Sequence, residues 1–420
     1  MSGEPTEDAP RPNDPRVSSA GAETLERMRA FISDVALPRA AAFEQEHPHS
    51  AFALEPDGRL AEPVYALKTE MQQLSANAGL YCPHLPAPDG LGLGFIDCMH
   101  LHEEVFRHGL RGQQWALAWT EGPNPLVRHW SPEARERVLP DFLGGREAVC
   151  FALTEPGVGS DFPALQTTAR ADGSGWRLSG EKHLITGAPQ AGFAQVFGRI
   201  EGAARSELTC FLVPLDAAGV ERGPVQQTIM ADGQTSGFTL HDVYVDKDSL
   251  IGRKGEAQAL AFEWINWART RRGGMAAGLG RHCVNAAVDY AHDREAYGRP
   301  IAELGAVSAL LADMVIDLEA LRALSLELLG RLDARGTALS AAVSAADRRD
   351  ISILKSYCDD ALYRIADRAI QVHGGRGVLT TTGLEKIFRV ARNLKIPAGT
   401  AEVQRAIIAR SLESTRSDRP

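Results

Sequence analysis

Two neighbouring stretches, CFALTEPGVGSD (150–161) and GWRLSGEKHLITGA (175–188), decide how this sequence folds. In each stretch a run of strand-forming residues ends at a threonine, Thr154 in the first and Thr186 in the second. The Glu-Pro-Gly that follows Thr154 predicts a turn with little side-chain bulk near the backbone. Such a turn can present backbone N–H groups and the Ser160 hydroxyl to a phosphate or to a ring heteroatom. The two stretches therefore predict a ligand site where two strands end.

The segments on either side predict a helix–strand–helix order. Residues 151–255 contain short runs rich in Val, Thr and Phe that are separated by Gly or Asp, which is typical of a small antiparallel β-barrel or β-sandwich. Apolar residues recur three and four positions apart in residues 23–150 and in residues 256–415, which predicts an all-helical domain before the strands and a helical bundle after them. Residues 1–22 are polar and Pro-rich, so we expect a disordered tail there, and a short tail at 416–420. The predicted fold class is multi-domain α+β.

Composition excludes several classes of function. The 420 residues include 45 Lys and Arg against 54 Asp and Glu, a net charge of −9 that argues against nucleic acid or an anionic membrane as the main partner. No apolar run reaches the roughly 18 residues of a membrane-spanning helix, and the N-terminal segment is too polar for a signal peptide. Six cysteines are scattered without paired spacing. We therefore expect a cytoplasmic protein without disulfides.

Several motifs together resemble the acyl-CoA dehydrogenase family. The stretches 150–161 and 175–188 resemble its middle domain, and the order continues with GFTLHDVYVDKDSLIG (237–252), YAHDREAYG (290–298), IQVHGGRGV (370–378) and KIPAGTAEVQR (395–405). The resemblance covers roughly residues 25–413. It implies an all-α N-terminal domain, a central β-domain and a C-terminal four-helix bundle, with FAD held between the β-domain and the bundle. It also implies a homotetramer or a homodimer.

The resemblance implies two groups of FAD-binding residues and no metal site. Those expected to line the flavin ring and the chain attached to it are Phe151, Leu153, Thr154, Ser160, Ile185 and Thr186. Those expected at the nucleotide part are Arg294, Gln371, Gly374, Gly375 and Thr400, and Tyr297 and Glu402 complete the set. The Gly-rich segment 370–378 is expected to reach the cofactor of a neighbouring subunit. A flavin needs an apolar slot for its ring and Gly-rich or cationic sites for its phosphates, so these residue types suit it.

The catalytic base of the family is missing from this sequence. The reaction usual in the family removes a proton α to a thioester carbonyl, which needs a well-placed carboxylate. The usual glutamate position is Ala398, and the alternative position, just before Arg269, is Ala268. Other departures from the family pattern lie nearby, at Leu184, Tyr297, Gly305 and Val390.

Other side chains could take part in the chemistry instead. Glu263 lies on the same predicted helix as Ala268, and Glu121 and Asp242 are further candidate acids whose position the sequence does not fix. Arg269 and Arg271 could bind a substrate carboxylate through bidentate contacts. The alternative for these arginines, a solvated helix face or a contact with the CoA phosphates, stays open.

These features predict an FAD-dependent oxidoreductase with atypical chemistry. Its substrate would be an acyl thioester, carried by CoA or an acyl-carrier protein, or a related acyl compound with a β-keto or carboxyl group. Decarboxylative dehydrogenation or oxygenation, plausibly in secondary metabolism, would need no base because loss of CO2 generates the carbanion. Two alternatives stay open: ordinary α,β-desaturation with a base recruited from elsewhere, and a non-catalytic subunit that binds FAD or CoA in a hetero-oligomer.

A histidine-rich segment, HLHEEVFRH (100–108), fails as a zinc-protease motif. In that motif two histidines four residues apart share one helix face, but Phe106 stands where the second histidine should be. We expect this segment to be a solvated helix face.

Overall fold

A computed structural model describes residues 14–47, 54–205, 207–337, 339 and 343–417. The N-terminal helices are α1 (Ser19–Phe31), α2 (Leu37–Glu46), α3 (Glu62–Asn77), α4 (Phe95–Phe106) and α5 (Pro132–Leu143). The strands of the central domain are β1 (Val149–Ala152), β2 (Thr168–Asp172), β3 (Gly175–Thr186), β4 (Phe193–Ile200), β5 (Leu208–Pro214), β6 (Val220–Arg222), β7 (Thr235–Val245) and β8 (Leu250–Ile251). The C-terminal helices are α6 (Ala257–Thr270), α7 (Arg272–Asp293), α8 (Gly305–Ala334), α9 (Ala345–His373), α10 (Leu384–Leu394) and α11 (Ala401–Ser417). A two-stranded ribbon of β9 (Glu295–Ala296) and β10 (Arg299–Pro300) joins α7 to α8. The helix–strand–helix order and the α+β class predicted from the sequence are confirmed.

The ends of the chain are more helical than predicted. Helix α1 begins at Ser19 because the Ser18 hydroxyl accepts the backbone N–H of Gly21 at 2.9 Å and donates to Asp97 at 2.6 Å. The predicted tail of residues 1–22 is therefore too long, and its first 13 residues lie outside the described part of the chain. At the other end α11 runs to Ser417, so the predicted tail at 416–420 overlaps the helix, and residues 418–420 lie outside the described part.

The central domain contains one sheet with a mixed arrangement of strands. The strand order is β6-β7-β3-β2-β4-β5-β8, and β1 pairs with β4. Most pairs are antiparallel, as predicted, but β1–β4 and β2–β4 are parallel. The chain turns straight from β2 into β3 and then returns on the far side of β2, so that β4 runs in the direction of β2. The expected barrel or sandwich is therefore a single eight-stranded sheet that is not purely antiparallel.

The C-terminal bundle is built on close contacts between long helices. Gly273 near the start of α7 faces Ser325, and Gly280 two turns later faces Leu318, so α8 runs antiparallel to α7. A Cβ atom on Gly273 would lie 2.9 Å from the Ser325 Cβ, which means that only glycine permits this approach. Helix α9 contacts α7 and α8 on one side and α10 and α11 on the other.

A buried ion pair fixes the turn after Thr154 to the sheet. Lys182 on β3 is fully buried, and its Nζ donates to the Glu155 carboxylate at 2.7 Å and to the Phe197 carbonyl at 2.6 Å. Glu155 also accepts the backbone N–H of Thr167 at 3.0 Å. Burial raises the pKa of Glu155, but the Lys182 charge and the donated hydrogen bonds outweigh that effect and lower it. The first predicted ligand turn is therefore anchored by a charge pair that water does not reach.

We expect Lys182→Met to lower the free energy of unfolding by about 3–5 kcal/mol, because it leaves the buried Glu155 carboxylate without its cation. Arg177 on the same strand is the matched control, since its pair with Asp172 is partly exposed. Arg177→Met should cost much less, because water screens its ion pair. Urea denaturation of the full chain measures both values. Equal losses in the two variants would contradict the anchoring role of Lys182.

Candidate functional site

The residues predicted to line a flavin ring meet both predicted base positions in one apolar cluster. Phe151, Leu153, Ala268 and Ala398 all belong to this cluster, which lies between the central domain and α6. The indole of Trp264 on α6 stacks on the Phe151 ring, with centroids 4.1 Å apart and planes 10° apart. The structure therefore brings these four residues into one cluster, which also contains Trp264, a residue that the sequence did not indicate.

A backbone hydrogen bond joins the two predicted ligand stretches, 150–161 and 175–188. The N–H of His183 donates to the Thr154 carbonyl at 3.0 Å. Just beyond it Leu184 has a φ of 53° and a half-exposed side chain, at a break in the pairing of β3 with β7. The Ile185 side chain is buried in a different cluster, inside the central domain with Phe238. Only the backbone of Ile185 can therefore face a ligand beside Thr154 and Thr186.

The loop that carries Ala398 is held by a buried arginine. Arg269 Nε donates to the Ala398 carbonyl at 2.8 Å, and Gln404 Nε2 donates to the same oxygen at 3.3 Å. Burial, together with the nearby Arg272 charge, lowers the pKa of Arg269 to about 10. Arg269 thus uses its side chain to position the loop. Of the two predicted clamp arginines, Arg269 is committed to the backbone.

Arg271 lies at the junction of α6 and α7, between two tryptophan rings. Its guanidinium carbon is 3.8 Å from the centre of the Trp267 ring and 4.8 Å from that of Trp119. Its Nη1 donates to the Ala118 carbonyl at 3.0 Å, while its buried Nε has no hydrogen-bond partner. Burial and the charge of Arg272 lower the pKa of Arg271 to about 9. An arginine between two indoles is stabilised by cation–π attraction, so its charge is retained near neutral pH.

Arg271 lines a cavity of about 360 Å³. The loop before α4, the helices α4 and α6 and the segment after α8 form its walls. The residues with titratable or hydroxyl groups in these walls are His84, Asp89, Cys98, His102, Arg128, Glu263, Thr270, Arg271, Asp333 and Thr337. Trp264 and Trp267 are in edge contact at 6.1 Å, so an aromatic row leads from Phe151 to Arg271. Packed aromatic rings therefore connect the wall of the cavity to the apolar cluster that contains Ala398.

The candidate acids are already engaged in ion pairs. Glu263 is buried and lies 2.8 Å from Arg128 and 3.0 Å from His129. Asp242 is exposed and paired with Arg170 at 3.2 Å. Neither supplies a free carboxylate at Ala398.

Glu121 has a carboxylate oxygen outside any ion pair, whereas the Glu263 oxygen that lacks a hydrogen bond lies 2.8 Å from Arg128. It is buried and pairs with Lys68 through one carboxylate oxygen, but its second oxygen, Oε2, has no partner. Gly187 lies so close to it that an added Cβ would be 2.6 Å from the Glu121 Cβ. Gly187 directly follows Thr186, so Glu121 lies beside the second ligand stretch.

The residues predicted at the nucleotide part divide between the two ends of the bundle. Tyr290 on α7 stacks on His373 at the end of α9 at 4.4 Å, which places Arg294 beside Gly374. Arg294, Gln371, Gly374 and Gly375 are exposed there, and Tyr297 is 93% exposed. At the other end of α7 are Thr400, which accepts the backbone N–H of Val403 at 3.4 Å, and Glu402, whose pKa is lowered by backbone and Thr400 hydrogen bonds. Thr400 and Glu402 therefore group with Ala398 and not with Arg294.

Unpaired polar atoms near Phe151 test whether a flavin suits this site. Gln195 pairs with Phe151 across β1 and β4, and both polar atoms of its buried side-chain amide lack partners. Trp264 Nε1 is likewise buried and unpartnered. Nothing lies within 4 Å of a Cβ built on Gly157 or Gly159, so the turn before Ser160 is open to a phosphate. A ring with donors and acceptors on its edge, joined to a pyrophosphate, fits this set.

The sequence missed the residues of the cavity, for an identifiable reason. The segment 100–108 was expected to be solvated, but His100, His102, Glu103 and Glu104 are all buried. Arg322 pairs with Glu103 at 2.8 Å, and Arg107 pairs with Glu104 at 2.8 Å. These ion pairs stabilise the two buried carboxylates in place of water. The unusual density of histidines and acids was the only signal in the sequence.

No helix in the described ranges is both long enough and apolar enough to cross a membrane. No cluster of three or more His, Cys, Asp or Glu side chains suited to a metal ion occurs in the same part of the chain.

Comparisons with known proteins agree with the geometry. Residues 150–243 match the family model "Acyl-CoA dehydrogenase, middle domain", and residues 255–413 match "Acyl-CoA dehydrogenase, C-terminal domain". The chain is 30% identical to the human mitochondrial short-chain specific acyl-CoA dehydrogenase, over 92% of this chain and 88% of the relative. It is 31% identical to the 3-(aryl)acrylate reductase of Clostridium sporogenes, over 69% of this chain and 74% of the relative. An acyl-CoA dehydrogenase of Bacillus anthracis solved in complex with FAD superimposes with a TM-score of 0.80 at 25% identity, covering 95% of this chain and 68% of that one.

The two cavity histidines make a prediction for the pH dependence of stability. Burial and the nearby Arg271 charge lower the pKa of His84 to about 3 and that of His102 to about 4. In the unfolded chain both imidazoles titrate near pH 6.5, so below that pH the unfolded state binds protons that the folded state does not. The free energy of unfolding should therefore fall between pH 7 and pH 5, by about 1–2 kcal/mol for each histidine.

Urea denaturation at pH 7, 6 and 5 measures this loss. His102→Gln should lose less stability than the wild type over the same range, because glutamine does not titrate. Parallel pH profiles for the two proteins would contradict the assignment of a neutral, buried His102.

Proposed function

The chain belongs to the acyl-CoA dehydrogenase family, and on that premise we propose that it is an FAD-dependent oxidoreductase of acyl thioesters that works without the usual carboxylate base. FAD is the cofactor of this family, and when bound it accepts a hydride from the substrate. The observation that carries the proposal is the pair of alanines, Ala268 and Ala398, on either side of Arg269. An unactivated proton α to a thioester carbonyl is not removed without a base.

We propose a substrate that makes its own carbanion. When an acyl thioester with a carboxylate on its α-carbon, or a free β-keto acid, loses that carboxylate as CO2, the C–C bond breaks and its electron pair stays on the carbon next to the carbonyl. This step needs no proton acceptor from the protein. The hydrogen bond from the buried Arg269 to the Ala398 carbonyl supports this proposal, because it holds the Ala398 loop against the cluster that contains Phe151. Oxygenation belongs to the same proposal: the reduced flavin would supply two electrons to O2, one oxygen atom would enter the product and the other would leave as water.

One observation favours a second candidate, ordinary desaturation with a recruited base. Glu121 has a buried, unpartnered carboxylate oxygen and packs against Gly187, next to Thr186. Its other oxygen is bound to Lys68, which in turn donates to Gln234 at 2.7 Å. Lys68 therefore occupies one oxygen of the carboxylate and leaves the other one available to a substrate.

The length of α7 supports a homodimer or homotetramer. Arg272 at its start and Arg294 after its end are separated by a helix of 22 residues, which spans about 33 Å at 1.5 Å per residue. One FAD molecule cannot contact the Thr154 turn near one end and Arg294 with Gly374 at the other. We therefore propose that a second copy of the chain supplies Arg294, Gln371, Gly374 and Gly375 to each cofactor.

The proposal is tested by introducing a carboxylate at Ala398, the usual base position of the family. Ala398 already has a left-handed φ of 58°, so Ala398→Glu adds a carboxylate without a new backbone cost. Because a general base contributes about 10²–10⁴-fold, we expect the variant to reduce its flavin with saturated acyl-CoAs at least about 100-fold faster than the wild type. Anaerobic stopped-flow absorption of the flavin band measures these rates, and Ala398→Gln is the matched control.

The same titration distinguishes the candidates in the wild type. We expect acyl-CoAs with a carboxylate on the α-carbon, or free β-keto acids, to bleach the flavin, and saturated acyl-CoAs to leave it oxidised. Fast bleaching by saturated acyl-CoAs, lost in Glu121→Gln, would overturn the base-free proposal in favour of ordinary desaturation. A purified protein that binds no FAD at all would overturn both.

A further inference from the structure

A buried ion pair from outside the two ligand stretches lies against the point where β3 ends. Lys68 on α3 pairs with Glu121, in the segment between α4 and α5, and the two side chains are only 4% and 3% exposed. Glu121 in turn packs on Gly187, where an added Cβ would be 2.6 Å from the Glu121 Cβ. Gly187 directly follows Thr186, the last residue of β3. The N-terminal domain therefore contacts the end of the second ligand stretch through a charge pair.

Lys68 also holds this strand end through Gln234, the residue just before β7. The Lys68 Nζ donates to the side-chain carbonyl of Gln234 at 2.7 Å. The backbone carbonyl of Gln234 accepts the N–H of Gly187 at 2.6 Å. Lys68 thus reaches Gly187 by two routes, one through Glu121 and one through Gln234.

The end of β3 depends on such contacts because its pairing with β7 is interrupted. The pairing breaks after Lys182 and resumes only at Ile185 and Thr186. Leu184, inside the break, has a left-handed φ of 53°, which is unfavourable for a residue with a Cβ atom. Only two residue pairs with β7 follow the break, so contacts from outside this pairing help to fix where Thr186 lies.

Glu121 is joined to the first ligand stretch as well. Its backbone carbonyl accepts the N–H of Val149 at 3.0 Å, where β1 begins. Strand β1 carries Phe151, whose ring belongs to the apolar cluster beside α6. Lys68, Glu121 and Gly187 also line one small cavity, so the three groups lie together. One acid therefore relates the start of β1 to the end of β3, and Lys68 is its cation.

The alternation of side chains along β3 leaves the Thr186 hydroxyl available to a ligand. The Ile185 side chain is buried inside the central domain with Phe238. Because successive side chains of a strand point to opposite faces, the Thr186 side chain points away from that core. Its hydroxyl is thus on the side on which a group bound between the two strand ends would lie.

We propose that Lys68 is a positioning residue for the bound flavin: through Glu121 and Gln234 it holds Gly187, and thereby sets where the Thr186 hydroxyl lies against the ring. The inference rests on the part of the proposed function that puts FAD beside Thr186, and it does not depend on which substrate reduces the flavin. Lys68 acts only through its neighbours. A lysine suits this place because one ammonium group donates to a carboxylate and to an amide oxygen at once. Groups that bind a cofactor need such support to keep their geometry.

A double-mutant cycle on the purified holoenzyme tests whether Lys68 acts through Thr186. We expect Lys68→Met and Thr186→Val each to release FAD about 10-fold faster, the equivalent of one hydrogen bond. Each should also shift the midpoint potential of the flavin in the same direction. The double variant should behave as Thr186→Val alone, because the hydroxyl that Lys68 positions is already absent. Flavin fluorescence after dilution measures the release, and a dye-coupled redox titration measures the potential.

Further variants separate positioning from stability. Lys68→Met also destabilises the fold, since Glu121 is left buried without its cation. The double variant Lys68→Met/Glu121→Gln removes that charge, so it should recover stability while the potential stays shifted. Lys68→Arg retains a cation and should restore both. Arg322→Met is the matched control, because it breaks the 2.8 Å pair with buried Glu103 between α8 and α4, and it should lower stability without moving the potential.

Two results would overturn the inference. One is a wild-type potential in Lys68→Met while Thr186→Val shifts it, and the other is additive shifts in the variant that carries both changes. A Thr186→Val protein with an unchanged flavin would contradict the placement of FAD beside Thr186, and with it this inference. Failure of the proposed site and failure of the Lys68 role are therefore distinguishable, and neither readout needs an acyl substrate.

Discussion

Three arginines are buried where α6 ends and α7 begins, and the site is arranged around the cost of burying them. Each of the three charges is stabilised differently. Arg269 binds the Ala398 carbonyl, Arg271 lies between Trp267 and Trp119, and Arg272 lies 3.9 Å from the Asp359 carboxylate. Only the last is paired with an acid, and Lys355 shares that acid at 2.9 Å. A cluster of this kind favours anionic ligands and anionic intermediates. The arginines are already desolvated in the folded protein, so they attract a negative charge without a further desolvation cost of their own.

The position of this junction links the two halves of the site. Helix α6 turns one face to the Ala398 loop through Arg269 and another to the cavity through Trp267 and Arg271. Trp264, between them, stacks on Phe151 of the central domain. A single helix therefore fixes the positions of the Phe151 cluster, the Ala398 loop and the cavity relative to one another. A shift of α6 would move all three together.

Much of this arrangement could be predicted from the sequence, because it depends on local patterns. The strand end at Thr186 and the helical domains follow from motifs and periodicity, and the meaning of the alanines at 268 and 398 follows from the family resemblance. The first strand ends at Ala152, two residues before the predicted end at Thr154. The cavity could not be predicted, because His84, His102 and Arg271 are far apart in the chain and come together only through helix packing. The burial of the Ile185 side chain inside the central domain also depends on tertiary structure, since the break in pairing after Lys182 alters which face each residue of β3 presents.

The central claim is that no protein group removes a proton from the carbon next to the thioester. The most direct measurement is hydrogen exchange at that carbon, in which the holoenzyme is incubated with butyryl-CoA in D2O and the recovered ester is analysed by mass spectrometry. A site without a base should leave the ester unlabelled beyond the rate found with no protein. Deuterium at the α-carbon, introduced faster than in that control, would show that a base such as Glu121 is active and would contradict the claim.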